Sequence, residues 1–133
     1  MLDSCSDWDI FAIEIAETLG IKTSLQKLRT TTVESDKTGL KHMGDITISS
    51  TDREFEAEVE DAVFIQFPTT SADIPPCHRD VTKYDHLKKV PFPTIEGKRV
   101  MGIISAAHHS SWMGGEIVRG RKTDPFAFHT LFG

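Results

Sequence analysis

Strict alternation over residues 53–60 sets Phe55, Ala57 and Val59 against Glu54, Glu56, Glu58 and Glu60. This is the period of a strand with one buried face and one wet acidic face. The four glutamates therefore read as a solvated face and not as a metal cage. A longer period runs through residues 7–19, where Phe11, Ile15 and Leu19 fall on one stripe with Ile10 and Ile13 beside it. Gly20 supplies a C-terminal stop, so the pattern predicts one helix packed on a sheet. Shorter apolar runs predict strands at residues 28–33, 45–49, 62–67, 99–105, 116–118 and 126–131. Gly39, Glu96-Gly97 and Gly114-Gly115 punctuate them. The polar stretch 34–44 reads as an exposed connection. Residues 68–93 are Pro-rich, with a short helical piece at about 81–88, and read as an arm on one domain. The fold class is mainly β.

Composition narrows the function without choosing it. The 133 residues fit a single domain, long enough for a core without staples. A net charge of −5 argues against a nucleic-acid-binding module, which needs clustered Lys and Arg. The one compact basic stretch, Arg119-Gly120-Arg121-Lys122, reads as a solvated turn. No signal peptide and no apolar span of about 20 residues is legible, so neither secretion nor membrane insertion is supported. Two cysteines, Cys5 and Cys77, suit a reducing compartment, and a cytoplasmic location is expected.

The segment Leu2-Asp3-Ser4-Cys5-Ser6 carries the chemistry: a carboxylate on a tight turn after an apolar residue. An aspartic peptidase needs two carboxylates sharing one proton, one to activate water and one to donate to the scissile carbonyl. Asp45, Asp52, Asp61 and Asp73 all lack the following hydroxyl-glycine pair. One motif per chain implies two chains per site, hence a homodimer. Competing chemistries are weaker. Six histidines include the pairs Cys77-His78 and His108-His109. Adjacent residues of a strand point to opposite faces, and no Cys-x-x-Cys or His-x-x-x-His spacing is present, so no metal or other cofactor is expected. A nucleophilic Cys5 is disfavoured by Asp3 and Asp7, because negative neighbours raise a thiol pKa. His86 reads as a packed histidine bonded to a backbone carbonyl.

Several further segments fit one pattern: Ile15-Ala16-Glu17-Thr18-Leu19-Gly20-Ile21, Pro75-Pro76-Cys77-His78-Arg79-Asp80, Tyr84-Asp85-His86-Leu87, and the closing Pro125-Phe126-Ala127-Phe128-His129-Thr130-Leu131-Phe132-Gly133. With the Asp3 turn they resemble the retropepsin-like aspartic peptidase domain of BEL/Pao-type retrotransposon polyproteins over nearly the whole chain. The resemblance implies a closed acid-protease-like β-barrel with one helix after the active-site turn. Only Met1 and Leu2 precede Asp3, so the barrel is expected to lack its N-terminal strand and the chain to be a slice of a polyprotein. It further implies endoproteolysis of a polypeptide substrate, with Asp3 of each protomer holding the lytic water and Ser4, Cys5 and Ser6 supporting the turn. Residues 34–44 would be a flap closing over substrate. The sequence departs from the family at Cys5 and Ser105, where glycines are expected, and at Ala107, where an Asp is expected. A glycine position in the left-handed region would make a Cβ cost roughly 1 kcal/mol or more. The alternative is a catalytically degenerate remnant serving as a protein-interaction module.

Overall fold

The computed structural model of the chain describes residues 2–3, 7–31, 36–66, 81–92, 99–111 and 115–132. Six strands build one sheet: β1 (Leu2–Asp3), β2 (Ile10–Ala12), β3 (Ser24–Thr31), β4 (Asp36–Ser49), β5 (Glu56–Ile65) and β6 (Gly102–Ser105), in the order β1-β6-β2-β5-β4-β3. A helix, α1 (Ile13–Leu19), follows β2 directly. The strands β7 (Ile117–Val118) and β8 (Ala127–Phe128) pair antiparallel as a separate ribbon.

The mainly β class holds, but the sheet is open and not a closed barrel among the described residues. Closure requires the two edge strands to find each other. Here β1 pairs only with β6, and β3 only with β4, leaving β3 exposed at every position but Leu28. Leu2 and Asp3 pair in parallel with Ile104 and Ser105, a two-residue strand that contains Asp3 itself.

The helix is shorter than the apolar stripe implied. Residues 10–12 lie between two strands, with Phe11 opposite Phe64 on one side and Gly102 on the other. Both neighbours claim their backbone groups, and a short apolar run has no periodicity of its own to resist. Leu19, the last residue of the stripe, is 65% exposed. Gly20 does end the helix: at φ 66° it occupies the left-handed region, and its N–H and that of Ile21 both reach the Ala16 carbonyl.

The strands expected at 53–60 and 62–67 are one strand. A bulge joins them: Ile46 faces Val59 and Gly44 faces Ala62, so two residues of β5 oppose Asp45. Asp61 adopts φ 54°, and its N–H donates to Asp45 Oδ1 at 3.0 Å. The bulge resets the alternation, which lets Val59, Ala62 and Phe64 all enter the core. Likewise the strand at 45–49 begins at Asp36. From Asp36 to Met43 the polar stretch is half of a long hairpin, paired with Thr31 to Ser24. Its cross-strand bonds need no apolar side chain, which is why hydropathy missed it. The strand expected at 28–33 accordingly starts at Ser24, and that at 99–105 shortens to β6.

The core gathers Phe11, Ala16, Val59, Ala62 and Phe64, with Ile13, Ile15, Ile21, Ile46 and Ile48 packed against it. The rings of Phe11 and Phe64 lie 6.0 Å apart, centroid to centroid, in a tilted contact. Within the expected Pro-rich arm, residues 68–80 and 93 fall outside the described ones. Its helical piece is a single 3₁₀ turn, Asp85–Leu87, with Leu87 buried. No helix among the described residues is long and apolar enough to cross a membrane.

Candidate active site

Strand β6 returns late in the chain to sit between β1 and β2, two strands only six residues apart. It runs parallel to β1 and antiparallel to β2. The register sets Asp3 beside Ser105, the last residue of β6. Ser4, Cys5 and Ser6 lie outside the described residues.

Directly ahead of β2 stands Asp9, a residue without a role in the sequence reading. It is 7% exposed, and a buried carboxylate is tolerated only with donors for its oxygens. Both have one. Oδ1 accepts the Ser105 N–H at 2.8 Å, and Oδ2 lies 3.0 Å from His108 Nε2. The Asp9 carbonyl accepts the Val63 N–H at 2.8 Å, so this residue ties the end of β6 to β5. His108 comes from the kinked 3₁₀ segment Ala106–Ser111 that follows β6. No local pattern marks Asp9 in the sequence, because its partners are 96 and 99 positions away.

Asp9, His108 and Ser105 are the residue types of a serine hydrolase, but not its arrangement. The group of Ser105 that meets Asp9 is the backbone N–H, and its hydroxyl accepts from the Ala107 N–H at 3.3 Å. With no exposed surface, Ser105 is closed to substrate as a nucleophile. The same residue removes one expected difficulty. Ser105 does not have a positive φ, so its Cβ costs no left-handed strain. At Ala107 there is no carboxylate; the buried one at this junction is Asp9.

The remaining candidates resolve individually. His86 is half-buried, and its Nε2 meets the Pro125 carbonyl at 2.9 Å, as expected of a packed histidine. It borders a cleft of about 490 Å³ between Val90, Phe92, Val118, Phe128 and His129, which includes neither Asp9 nor Ser105. Glu56, Glu58 and Glu60 are exposed along β5. Among the described residues no three His, Cys, Asp or Glu side chains gather as metal donors. Arg119, Arg121 and Lys122 are exposed, the last two in a turn closed by Arg121 N–H on Asp124 Oδ2 at 2.9 Å.

No protein-family model, curated protein or solved structure matches the chain.

Proposed function

We propose that this chain is a retropepsin-like aspartic endopeptidase domain of retroelement type, working as a homodimer with one Asp3 from each protomer. The observation that carries this is the pairing of Asp3 with Ser105 through a β6 strand inserted between β1 and β2. A short strand that ends at Asp3, held by a strand from the far end of the sequence, is the kind of support a catalytic carboxylate needs. The long β3–β4 hairpin adds to it, as an arm of the kind that closes over an extended polypeptide.

In the mechanism, the two Asp3 carboxylates share one proton, because like charges so close cannot both ionise. The ionised member takes a proton from the lytic water as it attacks the scissile carbonyl carbon. The protonated member donates to the carbonyl oxygen, giving a tetrahedral gem-diol. Collapse of that intermediate breaks the C–N bond, the amine leaving with a proton from the dyad. No covalent enzyme intermediate forms. Ser4 would brace the paired turns across the dimer, and Cys5 and Ser6 would hold the loop.

The experiment is cleavage of a mixed peptide library at mildly acidic pH by the purified chain beside Asp3→Asn. Cleavage that disappears in the variant supports the peptidase. Cleavage that survives in the variant rejects Asp3 as the catalytic carboxylate, and no cleavage from a folded chain rejects the peptidase and favours a remnant acting as an interaction module.

A further inference from the structure

We propose that Asp9 is a positioning residue that fixes the end of β6 and through Ser105 sets the backbone of Asp3. Its catalytic consequence rests on the peptidase reading; its geometry does not. Among the described residues Asp3 is tied into the sheet through Leu2↔Ile104 and Asp3↔Ser105 alone, a two-residue pairing at a sheet edge. Such a pairing is weak unless its partner strand is fixed. What fixes that end of β6 is the Asp9 carboxylate on the Ser105 N–H. His108 Nε2 holds the second oxygen, so the carboxylate cannot rotate away without breaking both contacts. The backbone of Asp9 is in turn anchored to Val63 of β5. The chain thus runs from the central sheet, through one buried carboxylate, to the strand beside Asp3.

An ionised carboxylate only accepts hydrogen bonds, so in the Asp9–His108 contact the hydrogen belongs to Nε2 of His108. That assignment makes the latch visible. In Asp9→Asn, one position of the side chain becomes an N–H₂ donor. If the donor faces His108, the neutral ring must present its lone pair there, and the hydrogen moves to Nδ1. If the amide turns the other way, its donor faces the Ser105 N–H and that bond is lost.

The test is ¹⁵N NMR of the His108 ring, with hydrogen exchange of the Ser105 amide, in the natural chain and in Asp9→Asn. The expected result is an Nε2–H ring in the natural chain, and in the variant either the reversed tautomer or Ser105 exchange faster by about tenfold or more. An unchanged tautomer together with unchanged Ser105 exchange would overturn the proposal. If Asp9→Asn does not fold, His108→Ala replaces it: faster Ser105 exchange supports the latch, and unchanged exchange rejects it. Peptide cleavage is measured on the same samples. A kcat lower by about tenfold to a hundredfold in the variant, at nearly constant KM, is the expected catalytic consequence. Absence of cleavage by the natural chain overturns the peptidase reading while leaving the NMR outcome to decide the latch.

Discussion

At Gly102 the backbone of β6 crosses the ring of Phe11 so closely that a Cβ would lie 2.6 Å from Cδ1. The glycine is what lets Phe11 lie flat against the strand beside the candidate site. Gly102→Ala should therefore lower stability by about 1–3 kcal/mol, the usual cost of overpacking, measured as a shift in the urea midpoint at constant slope. Asp52 makes a different kind of prediction. It caps the turn between β4 and β5, where the Ser50 hydroxyl donates to its Oδ1 and the Glu54 N–H donates at 3.0 Å. The Ser50 hydrogen bond first, and the Glu54 N–H second, hold its pKa below the ordinary carboxylate value. A depressed carboxylate adds stability above its unfolded pKa, near 3.9, and loses it as pH falls through the lower folded value. Asp52→Asn keeps an acceptor but removes the titration. The stability gap between the two proteins should be largest at neutral pH and narrow below about pH 4. A gap that widens on acidification would contradict the assignment.

Elements were legible where one residue's neighbours in sequence were also its neighbours in space. The wet glutamate face of β5, the stop at Gly20 and the exposed basic turn at Arg121 follow from local pattern and were read correctly. Residues 10–12 were assigned to the helix because their apolar spacing fits either structure, and only the arrival of β5 and β6 on both sides decides for a strand. The division of β5 into two strands had a physical basis, since the alternation does break at Asp61. The break is a bulge, supported by a left-handed residue and the Asp45 side chain. The bulge can be tested as an element. Asp61→Gly should be tolerated, while a β-branched residue at φ 54°, as in Asp61→Val, should destabilise by roughly 1–2 kcal/mol in thermal melts. Equal stability of the two variants would mean that the left-handed residue is not needed.

Across the whole molecule, the sequence singled out Asp3 but not the strand that pairs with it. Support for Asp3 comes from β6 and Asp9, whose pairing depends on a strand inserted between two others, and no periodicity encodes an insertion. Nor could periodicity reveal that the sheet remains open, because closure is decided by where its edges lie. The central claim is one active site made by two chains, and it is tested most directly by mixing. Natural chain at fixed concentration, above that needed for dimerisation, is combined with a threefold excess of Asp3→Asn and assayed for peptide cleavage at mildly acidic pH. Random pairing leaves about a quarter of the natural chains with a natural partner, so cleavage should fall to about a quarter of its starting rate. An unchanged rate would contradict a shared dyad, and a natural chain that folds yet never cleaves would contradict the peptidase itself.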